Sequence, residues 1–299
     1  MFKKMNLRKR EAIIGYIFFL PGLIGLVFFM GIPIIYSLYI SFTEYNIYSS
    51  PEWVGLKNYR VMFDDPLFFK SIYNTLYYVA LSVPINTIVG ILLAVLLNQR
   101  AKGIRVFRTV FYLPTVVSGV AVALLWQWIL DPNFGLINSF LANFGIDGPG
   151  WLTDTSWSKF SIVLMNAWAV GGTMIIYLAG LQGIPNTLYE AAKIDGAGPI
   201  RRFFTITIPM LSPTIFFNVI MGIISGFQIF MQAYIMTDGG PKNSTLFFAY
   251  HLYNKAFRDL QFGYASALAW VLLIITLIFT LIIFKFGDRW VYYEDGGDE

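Results

Sequence analysis

Cysteine is absent from the 299 residues, and histidine occurs once, at His251. The first absence excludes disulfides, thiolate metal sites and cysteine nucleophiles. The second leaves no histidine cluster with which to hold a metal. Charge is scarce as well: 13% of the residues are Asp, Glu, Lys or Arg, about half of the roughly 25% that a water-facing domain carries. Too few ionic groups remain to coat an aqueous surface, so lipid is the expected solvent. The net charge of +4 says little about partners, and no nucleic-acid partner is expected.

Long apolar runs take the place of the missing charge. Hydrophobic residues make up 57% of the chain, and the mean hydropathy is +0.63. A helix that crosses a bilayer needs about 20 mostly apolar residues. Six stretches meet this, at about 12–42, 72–97, 109–130, 160–183, 207–236 and 262–284, and none contains Asp, Glu, Lys or Arg. The reading is an all-α, polytopic membrane protein with six transmembrane helices in one domain, 1–299. The first run is too long for the apolar region of a signal peptide, and no A-x-A-like cleavage site follows it, so it is read as an uncleaved span. No internal repeat or low-complexity tract is visible.

Lys and Arg in the loops set the orientation. With the N-terminus inside, fourteen of the 21 basic residues fall on the cytoplasmic side. They are Lys3, Lys4, Arg8, Lys9, Arg10, Arg100, Lys102, Arg105, Arg108, Lys193, Arg201, Arg202, Lys285 and Arg289. Both termini are therefore expected in the cytoplasm. The external segments, about 43–71, 131–159 and 237–261, are rich in turn formers such as Asp131-Pro132-Asn133. They also carry Trp53, Trp151 and Trp157, expected at headgroup level. His251 is expected to face water in the last of these segments. Pro21, Pro33, Pro84, Pro114 and Pro209 lie within or beside spans and are expected to kink them.

The most informative stretch is the cytoplasmic loop 184–208, between the fourth and fifth spans. It reads as a short helix, a break and a second helix. Asn186 or Thr187 is placed to cap the first helix, with Glu190 near its positive end. Ala191 and Ala192 favour helix and allow close approach by another surface. Gly196 suits the left-handed residue that ends a helix, and Pro199 the first turn of the next. The result is a compact, exposed knob of small side chains.

The spacing Glu190-Ala191-Ala192, three residues, Gly196, nine residues, Ile206-x-Ile208-Pro209 resembles the EAA loop of ABC importer permeases. Ile208 stands where that family often has Leu. Phe111-Tyr112-Leu113-Pro114, Thr237-Asp238-Gly239-Gly240-Pro241 and Trp290-Val291-Tyr292-Tyr293-Glu294 are similar to the carbohydrate branch of the same family, although Gly or Asn is usual at the Asp238 position. The resemblance implies a type I ABC importer permease fold in a bacterial or archaeal cell membrane. It implies that Glu190, Ala191, Ala192, Asp195, Gly196 and Ala197 couple the chain to an ATPase. Its partners would be two ATPase subunits, a second permease that is a different chain, an extracellular solute-binding protein and a sugar or oligosaccharide. The phosphate-loop pattern G-x-x-x-x-G-K-[ST] is missing from this chain. ATP and magnesium are therefore expected on the partner, with no cofactor here and no catalysis.

Polar side chains inside spans are costly and often functional. Thr115, Ser118, Asn166, Thr173, Gln228 and Gln232 are the candidates for the substrate pathway. Gln228 and Gln232 are four apart and would share one face of a helix. Trp168, Gly171 and Gly172 join the candidates: the indole offers a flat surface to a sugar ring, and the glycines leave room for it. Asn86 and Asn218 are read as helix–helix contacts. Two rival classes lack residues they need: no intramembrane carboxylate or histidine serves a proton-coupled transporter, and no nucleophile with a base, or metal ligand, serves an intramembrane enzyme. The alternative within the family is a permease for a non-sugar solute such as glycerol-phosphate.

Overall fold

Apolar runs of this length leave backbone amides no partner in lipid except one another, so helix is forced. The computed structural model describes residues 7–99, 101–287 and 289–292. Lys3, Lys4, Arg100, Tyr293 and Glu294 lie outside the described residues. Among the described residues, four helices are long and apolar enough to cross a membrane: α1 (Leu7–Ser41), α3 (Pro66–Leu97), α10 (Pro199–Phe227) and α12 (Phe262–Gly287). Two bent pairs bring the number to six when each pair counts as one span: α4 (Ile104–Val116) with α5 (Gly119–Ile129), and α7 (Ser158–Trp168) with α8 (Gly171–Gly183). The remaining helices are α2 (Lys57–Asp64), α6 (Leu136–Ala142), α9 (Asn186–Ile194) and α11 (Phe248–Tyr253).

The chain packs as two compact units. The first holds the residues up to Asp64 together with Leu252–Val271. None of the most apolar stretch of α1 is buried, as befits a helix bathed in lipid. A two-stranded hairpin follows, pairing Thr43 with Trp53 and Glu44 with Glu52. The Asn58 amide donates to the carbonyls of Ser41 and Thr43, both at 2.9 Å. Gly263 donates its N–H to the Tyr45 carbonyl, and a Cβ at Gly263 would overlap the Thr43 carbonyl oxygen. Trp270 Nε1 donates to Ser37 Oγ at 3.2 Å.

The second unit holds Asp65–His251 and the residues from Leu272 onward. Its central helix is α3, which packs against α7, α8 and α10. Asp65 caps its N-terminus by accepting from the Leu67 N–H at 2.8 Å, and the Arg108 guanidinium donates to the Leu97 carbonyl at its C-terminus. A cation at that end also favours the helix dipole. Small residues bring the helices close: a Cβ at Gly90 would stand 3.0 Å from the Tyr177 ring, and one at Gly226 would stand 3.0 Å from Val79. One buried cluster gathers Ile91, Ala94, Leu97, Tyr177, Leu181 and Leu211. Another, around Trp126, Leu130, Trp151 and Met165, lies under the segment that follows α5.

Three of the expected spans are not single straight helices. The third bends by 100° after Val116, where Val117 and Ser118 adopt extended backbone. Pro114 has already removed one backbone donor there, and the Thr115 hydroxyl donates to the Tyr112 carbonyl. The fourth bends by 48° at Ala169–Val170. The fifth starts earlier than expected, at Pro199, and its helix ends at Phe227 rather than continuing to 236. The chain resumes in the wide turn Ala233–Thr237.

Two expectations for the external segments are corrected. His251 does not face water: it is 2% exposed on α11, and its Nε2 lies 3.5 Å from the Asp65 carboxylate. Trp151 is buried, with its indole N–H donating to Asn138 Oδ1 at 2.7 Å, so packing and a hydrogen bond hold it instead of headgroups. Trp53 does remain exposed. The Asp131 turn forms as its residue types require, with the carboxylate accepting from the N–H groups of Asn133 and Phe134.

Candidate functional site

The second unit encloses a cavity of about 710 Å³. The wall from α3 comes from Tyr78, Ser82, Val83, Asn86 and Thr87. These positions recur at three- and four-residue intervals, so they form one stripe on one face of the helix. From α10 come Asn218, Gly222 and Ser225, again on one face, and from the bent pair α7–α8 come Asn166 and Thr173. No lining side chain is ionisable as a carboxylate, ammonium, guanidinium or imidazole. The wall therefore offers amides, hydroxyls and apolar surface.

The break after α10 completes this wall. Gln228, Ile229 and Phe230 follow one another along the cavity, and Gln232 lies beyond them. Gln228 and Ile229 donate their N–H groups back by three residues, to Ser225 and Gly226, a tightening that ends the helix. Gln228 and Gln232 are thus not four apart on one continuous helix, as their spacing implies. They reach the same cavity because the backbone turns between them.

Of the pathway candidates read from the sequence, Gln228, Gln232, Asn166 and Thr173 line the cavity. Thr115 and Ser118 are exposed at the bend of α4 and α5. Trp168 is 43% exposed and packs edge-on against Trp126 at 6.0 Å. Gly171 is buried, and a Cβ there would overlap the Phe111 carbonyl oxygen, while Gly172 has only the Thr115 methyl near it, at 3.9 Å. Asn86 and Asn218, read as contacts between helices, both line the cavity instead. The recurrence of Tyr78, Ser82 and Asn86 at four-residue intervals in an otherwise apolar run is the signal that would have found this wall.

Away from the cavity, α9 is a short amphipathic helix. Pro185 occupies its N-cap position without a side-chain cap, so neither Asn186 nor Thr187 plays that part, and Glu190 sits past the first turn. Its C-terminus closes as the glycine predicts. Gly196 has φ +75°, its N–H donates to the Lys193 carbonyl, and the Ala197 N–H donates to the Ala192 carbonyl at 2.9 Å. Pro199 opens α10. Glu190, Ala191, Asp195 and Gly196 are exposed, and Ala192 and Ala197 are half-buried. Beside them Ile194 is 87% and Ile200 76% exposed, an apolar surface that the described residues leave uncovered. The Tyr189 hydroxyl is 3.0 Å from Thr207 Oγ1, which ties α9 to the base of α10.

The pattern of binding-protein-dependent transport system inner membrane components matches residues 86–291. The chain belongs to this family. It is the permease component of a binding-protein-dependent ABC importer. The "Probable ABC transporter permease protein YesP" of Bacillus subtilis (strain 168) is 42% identical to this permease, over 98% of this chain and 96% of the relative. The "sn-glycerol-3-phosphate transport system permease protein UgpA" of Pectobacterium atrosepticum is 32% identical, over 95% and 97%. Among solved structures, a bacterial ABC transporter involved in the import of the acidic polysaccharide alginate superposes with a TM-score of 0.82 at 25% identity, over 94% of this chain and 96% of that one. The expected type I ABC importer permease fold is borne out.

Proposed function

We propose that this permease carries neutral, hydroxyl-rich solutes, sugars or short oligosaccharides, along the cavity of its second unit. The observation that carries the reading is a wall of amides and hydroxyls without an ionic side chain. Sugar hydroxyls need both donors and acceptors, which Asn, Gln, Ser and Thr supply without the cost of a charge at membrane depth. A phosphate monoester, the cargo named for UgpA, or an acidic polysaccharide such as alginate would call for a cation that this wall does not offer. In this reading Gln228, Gln232, Asn166 and Thr173 touch the solute. Thr115, Ser118, Trp168 and Gly172 join the pathway only where a second, different permease chain closes over the bend of α4 and α5, and Gly171 serves the packing there.

Energy comes from two separate ATPase subunits, which hold ATP and magnesium. The exposed surface from Glu190 on α9 through the turn that ends at Ala197 docks on them, and Ile194 and Ile200 supply the apolar anchor. The binding protein docks on the opposite side of the membrane. Both termini lie on the ATPase side, in keeping with the basic residues of the loops. Uptake by the complete importer in proteoliposomes tests the function. A labelled neutral disaccharide should enter with ATP inside the vesicle, stop on ATP depletion and continue in the presence of an uncoupler. Uptake that follows the proton gradient would overturn the reading.

A further inference from the structure

Asn86 stands apart from the other amides of the cavity. Its Oδ1 is buried away from the cavity space and accepts no hydrogen bond from the described residues, whereas the Asn218 amide donates to the Thr214 carbonyl at 2.8 Å. An amide that glues helices together satisfies its oxygen on the neighbouring helix; this one does not. An unpaired buried carbonyl destabilises the protein that contains it, so packing gives no reason for Asn86. The residue also sits where a solute passes. It belongs to the same face of α3 as Tyr78 and Ser82, and the walls from α10 and from α7–α8 complete the cavity around it. Beyond it along α3 the small Gly90 lets the Tyr177 ring close in, so the stripe ends in packed aromatic surface.

We infer that Asn86 is a specificity-determining residue of the permease, whose carboxamide turns to bring its oxygen to the cavity and there accepts a hydrogen bond from a hydroxyl of the passing solute. The inference rests on the solute reading above, because it needs a hydroxyl donor in the cavity. A wall built to bond a hydroxyl discriminates strongly against an analogue that lacks it, since the partner is then left unpaired. Asn86 thus selects for a hydroxyl, while the apolar residues around it tolerate variation in the rest of the molecule.

The test uses the complete importer in proteoliposomes, with tritiated maltose, cellobiose, lactose, xylobiose and sn-glycerol-3-phosphate as probes. Asn86→Leu keeps the volume and removes the acceptor. It should lower kcat/KM for the imported probe about tenfold, the worth of one hydrogen bond in the pathway. Its thermal midpoint in detergent should stay level or rise, because an unpaired buried oxygen has gone. Asn86→Gln, which retains an amide acceptor, should recover part of the uptake. Asn86→Cys, in a chain without cysteine, should react with 2-sulfonatoethyl methanethiosulfonate, and the imported probe should slow that reaction. Uptake by Asn86→Leu within twofold of the parent, or a fall in its thermal midpoint matching the loss of uptake, would overturn the inference. Import of sn-glycerol-3-phosphate alone would overturn the sugar reading and leave Asn86 to be judged on that probe.

Discussion

At the scale of single residues, identity and environment together decide what a side chain does. Gly171 reads from the sequence as space for a ring, and the structure gives it a different task, because α8 starts against the backbone of Phe111 and Tyr112. Gly171→Ala should therefore lower stability by about 1–3 kcal/mol through overpacking, seen as a drop in thermal midpoint in detergent. Gly172→Ala, with an ordinary van der Waals neighbour at 3.9 Å, should leave it unchanged. The same gap between type and place explains His251. Its position beside turn formers points to water, but a tertiary contact with Asp65, 186 positions earlier in the sequence, takes it into the interior. Local composition carries no trace of such a partner. By contrast, Gly196 was fully legible, because the left-handed conformation that a helix C-terminus needs is a local demand.

At the scale of elements, spans were legible and their interruptions were not. Uncharged runs of about 20 residues fix where helices cross lipid, and α3 and α12 follow them closely. The breaks at Val117–Ser118, Ala169–Val170 and Gln228–Phe230 depend on what the backbone lines or touches. Hydropathy cannot report that, since the residues on both sides are equally apolar. The polar stripe of α3 was readable in principle from its four-residue spacing, yet a helix contact and a cavity wall share that pattern until the neighbours are known. On α9 the prediction is functional. Gly196→Asp and Glu190→Lys should leave insertion into the membrane intact, as measured by carbonate-resistant membrane fractions. Both should abolish ATP-driven uptake, because each alters the exposed face proposed to receive the ATPase. Normal uptake by the pair would sink the assignment of that helix.

At the scale of the whole molecule, the absence of cysteine makes orientation directly measurable. Lys57 is exposed on α2, and Lys193 is exposed on α9. In intact cells, Lys57→Cys should react with a membrane-impermeant maleimide and Lys193→Cys should react only after permeabilisation. The reverse pattern would place α9 outside and separate it from any cytoplasmic ATPase. Orientation is a property of the sum of loop charges rather than of any one contact, so it is legible from the sequence although neither unit encodes it alone.

The interruption after Phe227 carries a consequence for how the pathway can be mapped. Where a helix stops inside a bilayer, peptide groups lose their intrahelical partners and become part of the lining. The N–H groups of Gln228 and Ile229 keep partners at Ser225 and Gly226, so the capacity that the main chain adds to the lining there lies with carbonyl oxygens. Alanine scanning leaves that share untouched and will undercount the contacts made there, whereas an ester in place of the amide between Ile229 and Phe230, which weakens the Ile229 carbonyl and spares both of those bonds, would reveal it.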